Sequence, residues 1–213
     1  NYGSGIAAKT DYAERSLITS MEKVGDRIYA VGVHGIIIFS DDDGETWTQA
    51  SYVPYQNTIT DISCTNENMC WATGHDATIL HSSDGGLNWV KQYDDYDFDA
   101  PLLSIHMYDD KEGIAIGAFA LSLRTSNGGE SWDYLFLDDD DYQPHLNYVY
   151  GDNQAWRKSA KDEGYAVGEI GKYYISDDRG LNWLVVDTGY IGSYWSGVKV
   201  DEGQSLLFGM SGN

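Results

Sequence analysis

The chain has 213 residues, with 13 lysines and arginines against 34 aspartates and glutamates, which gives a formal net charge of −21. A field of that sign repels polyanions and excludes a nucleic-acid binder that works by neutralising phosphates. A hydrophobic content of 42% and an aromatic content of 14% exclude an acidic disordered tail. No apolar run approaches the roughly 20 residues that a membrane-spanning helix needs.

Residues 1–16 are predicted to form an N-terminal segment or a partial strand ahead of the repeated part of the chain. Helical spacing of apolar residues is found only over 8–20. The chain begins Asn1-Tyr2 without a methionine or a charged-then-apolar leader, so we expect that any signal peptide has already been removed.

An eight-residue pattern, [ST]-x-[DN]-x-G-x-[TSN]-W, occurs four times and is the main signal in the sequence. The copies lie at 40–47, 82–89, 125–132 and 176–183, with tryptophans 42, 43 and 51 residues apart. Each copy follows a segment that ends in glycine, a three-residue turn and a short apolar run. The extra residues of the fourth repeat fall within 152–162. Such self-similarity predicts a repeat architecture.

Each position of the pattern has a predicted structural role. The Ser/Thr and Asp/Asn side chains bond to nearby backbone groups, the glycine adopts a positive φ, and the tryptophan begins the next strand and buries its ring. The residues assigned to this role are Ser40, Asp42, Gly44, Trp47, Ser82, Asp84, Gly86, Trp89, Thr125, Asn127, Gly129, Trp132, Ser176, Asp178, Gly180 and Trp183.

Four short antiparallel strands per repeat match one blade of a β-propeller. We therefore predict an all-β propeller over residues 17–213, with blades that begin near Leu17, Thr58, Leu102, His145 and Tyr194. Residues 206–212 match the middle of the fourth repeat, which puts a fifth box at about position 217, after the last residue. Unpaired edge strands are normally covered. We expect a larger ring, completed by missing sequence or by another chain.

Cys64 and Cys70 flank a short polar stretch between two predicted strands. The pair lacks the CxxC spacing and the second ligand pair of a zinc site. Two strands joined by a polar turn would bring the sulfurs within disulfide reach, and the alternative is two free buried thiols. A disulfide predicts an extracytoplasmic protein, either periplasmic or secreted.

The repeated carboxylates of Asp42, Asp84 and Asp178 are predicted to be structural, because a catalytic acid would not recur once per blade and be replaced by Asn127. No catalytic residue is assigned. A sialidase needs several arginines that converge on a carboxylate, whereas none of the five arginines here recurs near the first strand of a blade and the Arg-Ile-Pro signature of sialidases is absent. Among 34 acidic residues, some pair will always have the spacing that a glycosidase needs. The sequence therefore leaves open whether the protein is an enzyme.

Asp95, Asp97 and Asp99 alternate as oxygen ligands do at the start of a calcium loop, but the glycine and the distal glutamate of such a loop are missing. Residues 138–141 form a second acidic run. A solvated acidic loop is favoured over a Ca²⁺ site, and we predict no cofactor.

The links between blades, at 50–58, 92–101, 135–145 and 187–195, share a face with the turns between the second and third strands. Aromatic residues exposed on loops beside acids indicate a binding surface, and the alternative is that they pack between blades. The residues assigned to this surface are Tyr52, Tyr55, Tyr93, Tyr96, Phe98, Tyr142, Tyr190, Tyr194 and Trp195.

The four boxes resemble the Asp-box (BNR) repeat. The Ala-Val-Gly segment before the boxes and the spacing of Cys64 and Cys70 resemble more narrowly the photosystem II stability/assembly factor-like proteins, which are exported β-propellers also found in non-photosynthetic bacteria. The resemblance covers about residues 17–212 and implies a non-enzymatic binding or assembly scaffold, with the Asp-box turns opposite the functional face.

Asp-boxes also occur in sialidases, xyloglucan-type glycosidases and sortilin-like receptors, and a shared fold does not decide function. The alternative is therefore a carbohydrate-binding or glycoside hydrolase propeller. The expected partner is a protein, a peptide or a polysaccharide.

Overall fold

Each repeat of the sequence folds into an antiparallel sheet whose strands follow chain order. The computed structural model describes residues 5–137, 142–151, 163–201 and 204–210. Over these residues there are four four-stranded sheets and one two-stranded sheet, which we call blades 1 to 5. The all-β prediction is confirmed. The chain divides into two compact units, residues 1–102 with 129–131, and residues 103–128 with 132–213.

The first unit contains blades 1 and 2. Two 3-10 turns lie at Ala13–Arg15 and Val33–Gly35. The strands of blade 1 are β1 (Ile18–Val24), β2 (Arg27–Gly32), β3 (Ile37–Ser40) and β4 (Thr48–Gln49). Those of blade 2 are β5 (Ile59–Cys64), β6 (Cys70–Gly74), β7 (Ile79–Ser82) and β8 (Val90–Tyr93).

The second unit contains most of blade 3 and all of blades 4 and 5, with a 3-10 turn at Ala118–Ala120. The strands of blade 3 are β9 (Leu102–Met107), β10 (Gly113–Gly117), β11 (Ser122–Thr125) and β12 (Asp133–Tyr134). Those of blade 4 are β13 (Leu146–Gly151), β14 (Gly164–Gly168), β15 (Tyr173–Ser176) and β16 (Leu184–Val186), and those of blade 5 are β17 (Tyr194–Asp201) and β18 (Gln204–Gly209).

All five predicted blade starts lie within one residue of an observed first strand, so the repeat was read in the correct register. The helical spacing over 8–20 was misleading, because those residues form only the Ala13–Arg15 turn before β1 begins at Ile18. Gln49 holds the preceding segment extended along β4, since its side chain accepts the Thr10 N–H and donates to the Ala8 carbonyl.

The Cys64–Cys70 disulfide is present and joins the end of β5 to the start of β6. The two residues are direct partners in the antiparallel register, and both are buried. The prediction of a bridge over two free thiols is confirmed.

Within each unit, apolar side chains of the second and third strands of a blade pack against the first strand of the blade that follows it in that unit. In the first unit, Tyr29, Val31 and Ile37 pack with Ile59 and Ile62 in one buried cluster. In the second unit, a cluster of the same kind joins blades 3 and 4; its members are Ile114, Ile116, Leu137, Leu146, Val149, Ala166 and Tyr174.

A β-bulge after the first residue of the first strand links neighbouring blades. In β1 the register shifts between Ile18 and Ser20, and the extra residue, Thr19, donates its hydroxyl to the Ile59 carbonyl at 2.6 Å. In β13 the extra residue is Asn147, whose amide donates to the Tyr194 carbonyl at 2.7 Å. The bulge therefore turns one side chain of each strand towards the next blade.

Blade 5 has an exposed apolar face in the described part of the chain. The register pairs Val198 with Leu206 and Ser196 with Phe208, so these side chains share one side of the hairpin. Val198, Val200, Leu206 and Phe208 are all exposed.

The bulge bond yields a stability prediction. Replacing Thr19 by valine keeps the shape of the side chain but removes the hydroxyl, which donates to Ile59 at 2.6 Å and lies 3.1 Å from the Val31 carbonyl of its own blade. We expect the free energy of unfolding to fall by about 1 kcal/mol, the usual net contribution of one hydrogen bond. Urea unfolding followed by tryptophan fluorescence measures the change. Thr48→Val, at an exposed position of β4 in the same blade, is the matched control, and equal midpoints for the two variants would contradict the role of the bulge.

Candidate functional site

The turns between the second and third strands are bonded to the links, so in each unit the two form one surface, which we call the turn-and-link face. In blades 1 and 4, the first turn residue bonds to the residue before the first strand, as Val33 N–H does to Leu17 (3.2 Å) and Glu169 N–H to His145 (3.0 Å). The third turn residue donates into the link that leaves the blade; these bonds are Gly35 to Asn57, Ala77 to Ala100, Ala120 to Pro144 and Gly171 to Gly192.

The middle residue of each turn has a left-handed backbone and is the feature that the sequence interpretation missed. These tip residues are His34, Asp76, Phe119 and Ile170, with φ between 55° and 59°. Left-handed backbone is unusual for residues other than glycine, and for a bulky or β-branched residue it is an outlier. The signal was present in the sequence as the spacing Gly-x-x-[Gly/Ala] after each second strand.

The nine aromatic residues assigned to the binding surface divide by burial. Five have exposed side chains and two, Tyr93 and Tyr190, are half-buried. The exposed ones are Tyr52, Tyr96, Phe98, Tyr142 and Trp195.

Tyr55 and Tyr194 were wrongly assigned to the surface. Tyr55 is fully buried in the core between blades 1 and 2, and its hydroxyl donates to the His75 carbonyl at 3.0 Å. Tyr194 is buried in a tyrosine-rich cluster, where its hydroxyl donates to Thr188. These two residues fit the packing alternative.

Trp195 has a position unlike that of the loop aromatics. It is the bulge residue of β17, because the register shifts between Tyr194 and Ser196. The equivalent residues Thr19 and Asn147 bridge to the next blade. The exposed indole therefore lies at a position where the fold places contacts between blades.

Acidic residues surround Tyr96 in the link at 92–101. Lys91 forms an ion pair with Asp94 at 2.9 Å and donates to the Tyr96 hydroxyl at 2.6 Å. The Asp95 carboxylate accepts the backbone N–H groups of Asp97 and Phe98, both at 3.1 Å. Asp95 thus stabilises a local turn, which presents Tyr96 and Phe98 to solvent.

The structure brings no metal site together among the residues it describes. No three His, Cys, Asp or Glu side chains in that part of the chain are grouped as ligands, and this includes Asp95, Asp97 and Asp99. The acidic run at 138–141 lies outside the described residues.

The Asp-box side chains are engaged within their own turns. Asp42 accepts the Thr46 N–H at 2.8 Å on one oxygen and the Thr46 hydroxyl at 2.5 Å on the other. Ser40 donates to Asp42 at 2.7 Å and accepts the Gly44 N–H at 2.9 Å. The Trp47 indole donates to the Gly44 carbonyl at 3.1 Å. The hydrogen bonds that Asp42 accepts from Thr46 and Ser40 lower its pKa to about 2.

No helix among the described residues is long and apolar enough to span a membrane.

A family model described as the photosynthesis system II assembly factor YCF48 matches residues 49–213. The chain belongs to this family. A curated relative, the photosystem II assembly lipoprotein Ycf48 of Synechococcus sp. (strain CC9902), is 26% identical over 155 residues, covering 71% of this chain and 43% of the relative. The chain spans less than half the length of the curated relatives it matches.

Two solved structures show the same fold at low sequence identity. YCF48 bound to a D1 peptide matches with a TM-score of 0.55 and 14% identity, covering 92% of this chain and 91% of the other. An ancestral GH74 enzyme matches with a TM-score of 0.68 and 16% identity, covering 92% of this chain but 26% of the other. The β-propeller prediction is confirmed.

Two carboxylates, those of half-buried Glu22 and buried Asp61, lie between β1 and β5. Burial is the largest effect on Glu22 and raises its pKa to about 8; the Cys64 N–H opposes this rise and the charge of Asp61 adds to it. The carboxylate accepts that N–H at 2.6 Å, and Asp61, itself buried, accepts the Ser20 hydroxyl at 2.7 Å. Both acids therefore join β1 to β5.

His106 occupies in β9 the position that Glu22 occupies in β1, the fifth residue of the strand. It is buried, and burial lowers its pKa to about 4. Its Nε2 has no hydrogen-bond partner in the described part of the chain and lies against Gly151, where a Cβ atom would be 2.2 Å from that nitrogen. The same strand position thus holds a half-buried acid in one unit and a buried base in the other.

Glu22 makes stability depend on pH in a defined direction. Its pKa is about 8 in the folded protein and 4.5 ordinarily, so above pH 4.5 the folded state keeps a proton that the unfolded chain loses. Raising the pH through this window therefore favours unfolding. Glu22→Gln keeps an acceptor for Cys64 but does not titrate, so we expect its advantage in unfolding free energy to grow from pH 5 to pH 8.

Chemical denaturation at stepped pH measures this difference between Glu22→Gln and the wild type. Its slope cannot exceed about 1.4 kcal/mol per pH unit for one proton. Glu45→Gln, on an exposed box turn, is the control and should show no trend. A constant difference for Glu22→Gln would show that this carboxyl is ionised in the fold.

Proposed function

We propose that the protein is an exported, non-enzymatic scaffold that binds a polypeptide segment on its turn-and-link face. The observation that carries the proposal is the exposure of aromatic side chains among carboxylates on that face. The link at 92–101 has four aspartates and no lysine or arginine, and it presents Tyr96 and Phe98 to solvent. Flat amphipathic rings beside negative charge suit a segment that is basic or polar.

Family membership supports a polypeptide partner. The family is described as an assembly factor, and the propeller of similar fold that covers nearly the whole of both chains is a YCF48 with a D1 peptide bound. The opposite, Asp-box side of each blade is less suited to a partner, because its repeated turns use their polar side chains internally, as Asp42 and Asp84 do. A polysaccharide stacked on the exposed rings is the competing ligand, and glycoside hydrolysis is the competing activity.

An extracytoplasmic location is part of the proposal. The Cys64–Cys70 bridge is of a kind that persists in oxidising compartments. The Synechococcus relative is described as a lipoprotein, which agrees with export in the family.

We also propose that another blade covers the exposed apolar face of blade 5, supplied by further sequence or by another chain. Val198, Val200, Leu206 and Phe208 form that face. In blades 1 and 4 the equivalent sides pack against the next blade.

Substitution of single rings tests the binding surface. A peptide selected on the wild-type protein from a phage-displayed random library serves as the probe. Tyr96→Ala and Tyr142→Ala should each weaken its binding by roughly 5- to 30-fold, because exposed rings that anchor a partner contribute about 1–2 kcal/mol. Glu45→Ala and Glu130→Ala on the box turns should leave the affinity unchanged. Fluorescence anisotropy measures all four.

The salt dependence identifies the class of ligand. Affinity for a basic peptide should fall steeply between low and physiological salt, because exposed charges are screened over roughly 8–10 Å, whereas a stacked sugar is nearly indifferent to salt. If soluble polysaccharides bind and no peptide can be selected, the polypeptide proposal is wrong. If the Glu45 and Glu130 variants lose binding while the tyrosine variants keep it, the opposite face is the functional one.

The proposed location predicts the oxidation state of the natively purified protein. Because the bridge forms in an oxidising compartment, Cys64 and Cys70 should resist alkylation unless a reductant is added. Peptide mass spectrometry without reduction reads the result directly. Modification of both cysteines in the unreduced native protein would remove the main structural support for export.

A further inference from the structure

The tip residues of the second unit are apolar and exposed, although their backbone conformation disfavours them. Phe119 and Ile170 have φ of 55° and side chains about half exposed. At the same position the first unit has His34 and Asp76, and both of these residue types are enriched in left-handed backbone. Glycine would adopt this conformation without strain. Neither local conformation nor solubility accounts for phenylalanine and a β-branched residue there.

Strain of this kind is maintained only where the surrounding structure enforces it, and it is concentrated at functional sites. Here the enforcing contacts are present. Ala120, next to Phe119, donates to the Pro144 carbonyl at 2.8 Å, and Gly171, next to Ile170, donates to Gly192 at 2.6 Å. The two turns therefore cannot relax without releasing their links.

Phe119 and Ile170 are connected through His145 and Glu169. The Phe119 ring packs edge to face on His145, with 5.0 Å between ring centroids. His145 exchanges two hydrogen bonds with Glu169, both at 3.0 Å, through its N–H to the carboxylate and its carbonyl to the Glu169 N–H. Ile170 follows directly, and Ile191 in the adjoining link is 88% exposed.

Carboxylates lie close to these apolar tips. Glu169 directly precedes Ile170, and Asp187 is exposed in the link at 187–195, in a chain whose formal net charge is −21. A partner whose apolar residue is flanked by acidic residues would be repelled. A segment whose apolar residue lies between basic residues is complementary in both polarity and charge.

We propose that Phe119 and Ile170 are the specificity anchors of the turn-and-link face, which receive an apolar side chain of a bound polypeptide segment whose flanking residues are basic. The inference rests on the proposed polypeptide-binding function. It adds the type of partner side chain that is recognised and the site on the protein that recognises it. The strained tips keep about half of each apolar side chain exposed, where a partner can reach it.

Glycine substitution separates anchoring from folding. In Phe119→Gly and Ile170→Gly the backbone is relieved of its strain and the anchor is lost. We expect melting temperatures equal to or above that of the wild type, together with roughly 5- to 30-fold weaker binding of the library-selected peptide described above. A lower melting temperature in both variants would show that the tips stabilise the fold, and would overturn the proposal.

A double-mutant cycle between the protein and the peptide tests directly whether the tips recognise an apolar residue of the peptide. The second probe is the selected peptide with its apolar residues changed to serine. The wild type should bind it about tenfold more weakly than the parent peptide, and the glycine variants should bind both peptides equally. Phe119→Leu and Ile170→Leu should restore the preference, and His34→Gly, at the same turn position in the first unit, should leave it intact.

The outcomes distinguish this inference from the proposed function. If the glycine variants keep the full apolar preference while Tyr96→Ala and Tyr142→Ala lose affinity, the polypeptide surface stands and the tip anchors are wrong. A library that yields no binder contradicts both.

Discussion

A carboxyl or amide oxygen that closes the turn between the third and fourth strands is the interaction on which each blade depends. In blade 2, Asp84 accepts the Asn88 backbone N–H at 2.9 Å and its side-chain amide at 2.8 Å, and Trp89 then caps the turn by donating to the Gly86 carbonyl. Burial acts to raise the pKa of Asp84, but these hydrogen bonds outweigh it and leave the pKa lowered. Asn127 accepts the Thr125 hydroxyl at 3.0 Å as Asp84 accepts that of Ser82 at 2.9 Å, so this bond of the turn needs an acceptor and not a charge.

The residue before the box glycine extends this role to the neighbouring blade. Its carbonyl accepts an arginine of the preceding blade: Arg27 donates to Gly85 at 2.8 Å, and Arg124 donates to Arg179 at 3.3 Å. The left-handed backbone at Gly85 and Arg179 turns that carbonyl outward. The side chains and carbonyls on the box side of a blade make these contacts. Amino-acid substitutions should therefore cost the fold less at the tips and links than in the boxes.

The sequence predicted the features that a single repeat determines. The box pattern fixes the turn and the two strands beside it, so the blade starts and the partners Cys64 and Cys70 followed from register alone. It did not separate buried Tyr55 from exposed Tyr96, because both are link tyrosines and only the contact of a whole link with the next blade distinguishes them. The donor that Glu22 accepts, the Cys64 N–H, likewise lies 42 residues away.

The tips show a different limit. Residues at a positive φ are ordinarily anticipated from glycine or asparagine, and Phe119 and Ile170 are neither. Their conformation is imposed by bonds from Ala120 and Gly171 to the links, so the cause lies more than 20 residues along the chain. A search for polar or aromatic clusters overlooks such positions, whereas alignment of the four repeats on the glycine that ends the second strand places all four tips in one column.

Glu22 and His106 together give the contact between blades a definite pH response. The raised pKa of Glu22, 4.5 to about 8, lowers stability as the pH rises through that window. The lowered pKa of His106, 6.5 to about 4, lowers stability as the pH falls through that one, because the unfolded chain takes up the proton first. Between pH 4.5 and 6.5 the two effects have opposite slopes and largely cancel, whereas His106 acts alone between about pH 4 and 4.5 and Glu22 acts alone between pH 6.5 and about 8. Two groups at the same strand position, one acid and one base, therefore set a mildly acidic plateau of stability, which neither group could produce by itself.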